Sequence, residues 1–166
     1  ILAVNESAED EKEHGTVGTV GVVEVEPGSI NVVPGAVTLW VDVRGVEPAS
    51  IKRTLENIQA EAENVAVTDR VGLRIEMLTA DSPVPLDKTL ALQTEGICKE
   101  LVYSFLHMNS GAGHDSMHMA KIAPTTMVFI PCKGGISHNP AEFASLDDIC
   151  RGVNVLAHIL EQEANK

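Results

Sequence analysis

The run Ala36-Val37-Thr38-Leu39-Trp40-Val41-Asp42-Val43-Arg44 decides how the first half of the chain is read. Val37, Leu39, Val41 and Val43 fall on one side of an extended chain, and Thr38, Trp40, Asp42 and Arg44 on the other. This is the period-two alternation of a strand, and the aliphatic set is expected to build core. The opposite face carries a carboxylate and a guanidinium two residues apart. As a solvated ion pair alone, these two would contribute little.

Outward from this strand the pattern repeats. Over residues 16–26, Val23 and Val25 alternate with Glu24 and Glu26, and Pro27-Gly28-Ser29 and Pro34-Gly35 punctuate the connection. Downstream, Pro48 occupies a first-turn position that a helix tolerates. Ile51, Leu55, Ile58 and Ala62 then form an amphipathic stripe. Val71, Leu73, Ile75 and Met77 alternate again and predict a third strand over residues 71–79. Residues 16–79 therefore read β-β-α-β, a helix on one face of an antiparallel sheet. The order matches a split-βαβ unit without its first strand and helix. Residues 5–14 are polar and mostly acidic, a linker or a helix end.

The Pro-punctuated stretch Asp81-Ser82-Pro83-Val84-Pro85 marks an expected domain boundary, dividing the chain into residues 1–80 and 81–166. Asp87 is placed to cap a helix running to about Tyr103, with Ile97 and Leu101 on its inner side. A short helix is expected from His114-Asp115 through Lys121 and a strand over residues 125–131. A final helix follows, capped by Ser145 with Asp148 three residues on. Its expected inner stripe is Ile149, Val153, Leu156 and Leu160. The fold class is thus α/β, an α+β piece followed by helix-strand-helix.

Of the 166 residues 44% are hydrophobic but only 3% aromatic, so the core must be built from aliphatic side chains. A net charge of -12 argues against nucleic acid and anionic membranes as partners. The three cysteines, Cys98, Cys132 and Cys150, are widely spaced and form no C-x-x-C pattern. Free thiols and a cytoplasmic setting are the plain expectation. No apolar run is long enough for a membrane helix. The opening Ile1-Leu2-Ala3-Val4, without Met, reads as cut from something longer.

Two glycine-bearing loops in the second half carry the chemistry. Ser110-Gly111-Ala112-Gly113-His114-Asp115 leads into the short helix. Gly134-Gly135-Ile136-Ser137-His138-Asn139-Pro140-Ala141-Glu142 follows the strand-like run at residues 126–131. A strand that delivers a histidine on a flexible loop suits a ligand to metal or substrate. On its own residues, the second loop reads equally well as a surface turn. His114 and His118 lie four apart, as zinc pairs do, but lack the H-E-x-x-H glutamate. His14 lies in the acidic stretch, and His158 on the polar flank of the last helix.

Taken with Gly15-Thr16-Val17-Gly18, with residues 27–35 and with Val41-Asp42-Val43-Arg44, these loops resemble the metal-dependent N-carbamoyl-L-amino-acid hydrolases. Allantoate amidohydrolase, ureidoglycolate amidohydrolase and β-ureidopropionase, of the zinc-peptidase (aminoacylase) superfamily, share the pattern. The resemblance spans residues 15–160. It implies an amidohydrolase acting on linear C–N bonds of an N-carbamoyl or ureido acid, with two divalent ions (Zn, Mn, Co or Ni) that polarise the scissile carbonyl. His138 would be a metal ligand and His114 an oxyanion-stabilising group. Asn31, Arg44, Gly135 and Ser137 would bind substrate, Arg44 through a bidentate grip on its carboxylate. Residues 1–80 would be part of a lid that also forms a homodimer, and residues 81–166 the end of the catalytic domain. The family's other metal ligands and its general base match nothing in this chain, so the 166 residues alone are expected to be inactive. A non-catalytic α+β dimerisation module, pairing by its sheet edge, is the alternative.

Overall fold

Strand β1 (Val17–Glu26) pairs antiparallel with β2 (Ala36–Arg44), Val17 opposite Arg44 and Glu26 opposite Ala36. The register shifts between Val20 and Val22, leaving Gly21 as an extra residue in β1, the two-against-one count of a β-bulge. In the computed structural model, which describes residues 1–165, this ribbon belongs to the first of two compact units, Ile1–Pro83. The second unit begins at Val84. Among the described residues the chain is a mixed α/β protein, with five α-helices and a two-stranded antiparallel sheet.

Helix α1 (Leu2–Asp10) packs on β1 and on α2 (Pro48–Asp69). The stretch that reads as linker or helix end is thus helix to Asp10, followed by a 3-10 turn at Lys12–His14. The contact with β1 is close at Gly18. A Cβ there would lie 3.1 Å from the Ala8 Cβ and 3.2 Å from a Val4 methyl, so a larger residue would push the helix back by a few tenths of an ångström. The buried residues of this unit are Val4, Ser7, Ala8, Thr16, Ser50 and Thr54. Its centre is partly polar, and each buried hydroxyl is satisfied. Thr16 Oγ1 and Ser50 Oγ are 2.5 Å apart, and Thr54 Oγ1 donates to the Ser50 carbonyl. Ile51, Leu55, Ile58 and Ala62 are half-buried beside them.

Two expectations fail in this unit. Residues 71–80 join no ladder, so the sheet has two strands and not three. Alternation tells which side chains share a face. It does not supply the partner whose N–H and C=O groups a strand requires. The aliphatic face of β2 is also uncovered, with Val37 at 54% exposure and Leu39 and Val41 close to 40%. The helices bury the Gly18 end of the ribbon, not its length.

In the second unit α3 (Lys88–Glu100) packs on α5 (Leu146–Ala164). Ile97, Cys98, Val155 and Ile159 form the core, flanked by Leu101, Tyr103 and Val128. Both expected caps form: Asp87 Oδ1 accepts from Leu90 N at 2.8 Å, and Ser145 Oγ from Asp148 N at 3.1 Å. The inner face of α5, however, is Gly152, Val155 and Ile159. The expected stripe of Ile149, Val153, Leu156 and Leu160 is exposed. The two faces are neighbours on the helix, and the presence of a glycine decides between them. Ile130 lies so close to α5 that a Cβ on Gly152 would meet its Cγ2 at 2.6 Å. Residues 125–131 pack in this way without forming the expected strand. No helix among the described residues is long and apolar enough to cross a membrane.

Candidate functional site

The loop over residues 133–143 has the most defined geometry of the expected site. Its ends are tied by Lys133 N donating to the Phe143 carbonyl at 2.8 Å. A 3-10 turn at Lys133–Gly135 opens it, with Gly134 and Gly135 both at φ +67. That left-handed conformation suits residues without a Cβ. His138 adopts it too, at φ +55, where a side chain is disfavoured. Its backbone N–H donates to Glu142 Oε2 at 3.0 Å. Asn139 Oδ1 accepts from Ala141 N, and Glu142 N donates to the Asn139 carbonyl, both at 2.9 Å. No hydrogen bond or ion pair among the described residues engages the His138 ring. Gly135, Ser137 and His138 are all exposed.

His114 is the exposed residue preceding α4 (Asp115–Met119), at φ -147. The helix has five residues and ends short of the expected Lys121. Upstream, Ser110 Oγ donates to the Ala112 carbonyl at 2.9 Å and accepts from Ala112 N at 3.3 Å, folding the small-residue loop on itself. A depression of about 350 Å³ lined by Pro85, Asp87, Lys88, Ala123 and Thr125 includes none of these groups.

In the first unit Arg44 closes β2. Its guanidinium grips Asp42 in two bonds, Nε to Oδ1 at 2.9 Å and NH2 to Oδ2 at 2.6 Å, both side chains being half-exposed. The guanidinium holds the Asp42 carboxyl below the usual carboxylate range. The fork is thus oriented for a planar carboxylate and already presents that geometry to one. Asn31 lies exposed in the turn between the strands. Asn31 and Arg44 therefore sit in one unit, and His114, Gly135, Ser137 and His138 in the other.

Among the described residues no group of three or more His, Cys, Asp or Glu side chains could hold a metal ion. Catalytic metals take several protein donors, and His138 offers one imidazole. Glu142 is a participant that pattern reading passes over. It stands in the quoted motif, but only the fold shows its carboxylate reaching back four residues. A carboxylate i+4 from a loop histidine is the signal that could have marked it.

The sequence profile of "Peptidase family M20/M25/M40" matches residues 3–162, and the chain belongs to that family. It is 38% identical over 164 residues to the N-carbamoyl-L-amino-acid amidohydrolase of Rhizobium meliloti, covering 99% of this chain and 39% of that protein. It is 35% identical over 162 residues to the allantoate amidohydrolase of Escherichia coli strain K12, covering 96% of this chain and 39% of that one. The crystal structure of AtUAH in complex with glyoxylate superposes with a TM-score of 0.90 at 36% identity, over 99% of this chain and 39% of that chain. The chain therefore spans about two fifths of the length of these relatives.

Proposed function

We propose that this chain contributes part of the substrate-binding and metal-binding apparatus of an M20-type amidohydrolase. The enzyme would cleave a linear C–N bond in an N-carbamoyl or ureido acid. The carrying observation is the His138 loop: a histidine in a backbone conformation that favours glycine, with no partner for its ring among the described residues. A side chain held in a sparsely populated backbone region points toward function, and histidine is among the residues that enter that region most readily. The names of the relatives, amidohydrolases of N-carbamoyl-amino acids and allantoate, support the substrate class.

In this reading His138 lends one imidazole to a centre of two divalent ions (Zn, Mn, Co or Ni) whose other donors lie outside these 166 residues. His114 stabilises the oxyanion, Asn31 and Arg44 bind the substrate, Arg44 by its carboxylate, and Gly135 and Ser137 line the pocket near that carboxylate. Residues 1–80 serve as part of a lid and homodimer contact, and residues 81–166 as the C-terminal part of the catalytic domain. The setting is cytoplasmic, in keeping with three unpaired thiols. With a single donor, the isolated chain binds metal weakly and is inactive. Calorimetric titration with zinc, run beside a hydrolysis assay on N-carbamoyl amino acids, checks this. Micromolar zinc affinity or turnover by the 166-residue chain would contradict it.

A second reading, a dimerisation module without catalytic residues, is favoured by one observation. Val22, Val23, Val25, Val37, Leu39 and Trp40 leave the ribbon apolar and exposed. The readings separate by mutation in the family-length enzyme. Loss of dimer mass with intact chemistry on altering these side chains favours the module.

A further inference from the structure

The His138 loop shows a device that the functional reading does not use. Three residues within five, Gly134, Gly135 and His138, have left-handed backbones. Glycine reaches that region without cost, whereas histidine does so only when its surroundings hold it there. His138 is held by its N–H, which is bonded to the Glu142 carboxylate at 3.0 Å. The chain between them is folded back by the Asn139 carbonyl accepting from Glu142 N and by Asn139 Oδ1 accepting from Ala141 N. Lys133 N to the Phe143 carbonyl closes the loop just outside.

We infer that Glu142 is a positioning residue: its carboxylate clamps the His138 backbone N–H and so fixes the left-handed turn without itself engaging the ring. A carboxylate is suited to this task. An anionic acceptor makes a stronger bond to an amide than a neutral one, and it bonds the main chain without occupying the imidazole. A carboxylate bonded to the ring would instead have fixed the ring's tautomer and used one of its nitrogens. That the clamp serves metal binding rests on the function proposed above. That the clamp exists rests on the loop geometry alone.

Amide hydrogen exchange on the 166-residue chain tests it, comparing the natural chain with Glu142→Ala and Glu142→Gln. Exchange at Val155 and Ile159 in α5 reports that each variant remains folded. In Glu142→Ala the His138 amide is expected to exchange about tenfold faster, the scale of losing one charge-assisted bond. In Glu142→Gln, which keeps an acceptor oxygen, it should stay within about threefold of the natural chain. Unchanged exchange in the alanine variant overturns the clamp, as does a glutamine variant as fast as alanine. Neither result bears on whether His138 binds metal. Conversely, a family-length His138→Ala enzyme that keeps its metal and its turnover removes the metal reading and leaves the exchange result standing.

Discussion

Arg44 shows how one side chain carries two readings that geometry narrows. Its bidentate bond to Asp42 could be an exposed ion pair, and exposed pairs contribute little to stability. In the function proposed above, the same guanidinium grips the substrate carboxylate. In the family-length enzyme, Arg44→Ala is expected to raise KM for an N-carbamoyl amino acid at least tenfold, the scale of a lost charged hydrogen bond. Steady-state kinetics checks this, and unchanged KM and kcat would reduce Arg44 to a surface charge. His138 was legible as a candidate because glycines and a proline bracket it. Its left-handed φ and the Glu142 bond were not, since both depend on how a nine-residue loop closes, which no periodicity encodes.

Elements were legible where a local rule was enough to make them. Asp87 and Ser145 cap the helices they precede, and β2 runs over the residues read as its strand. Local rules stop at the question of what covers an element. Residues 71–80 alternate well yet pair with nothing, and residues 125–131 pack on α5 without a ladder. On α5 the larger aliphatic stripe lost to a face containing Gly152, because the missing Cβ lets Ile130 approach. Gly152→Ala should therefore destabilise the second unit by about 1–3 kcal/mol through overpacking against Ile130. Urea unfolding followed by circular dichroism measures it, and a gain of about 1 kcal/mol, the helix-propensity advantage of alanine over glycine, would show that Ile130 yields at no cost.

At the scale of the whole molecule, 24 acidic residues against 12 basic ones make paired carboxylates a pH-dependent part of stability. Arg53 holds Glu11 by two bonds, at 2.6 and 2.5 Å, and with the Ser50 hydroxyl pulls its carboxyl down from 4.5 to about 2. Lys99 and His107 likewise hold Glu95 below its ordinary value. A folded pKa below the unfolded one gives stability that is whole above the unfolded value and is lost as protons return. Acid titration is thus expected to weaken the fold as pH falls from about 4.5 toward 2, and Arg53→Ala should flatten that dependence. Thermal unfolding across this range reads both, and a slope unchanged in Arg53→Ala would count against the pairing.

The central claim is that His138 belongs to a metal centre of an amidohydrolase. Its most direct test is the metal content of the purified family-length enzyme, with and without His138→Ala, measured beside hydrolysis of an N-carbamoyl amino acid. The account predicts that the variant loses bound divalent metal and at least about a hundredfold in turnover, since losing even an outer-shell partner of a metal ligand costs about 10–100-fold. Full metal occupancy with undiminished turnover in the variant would contradict it.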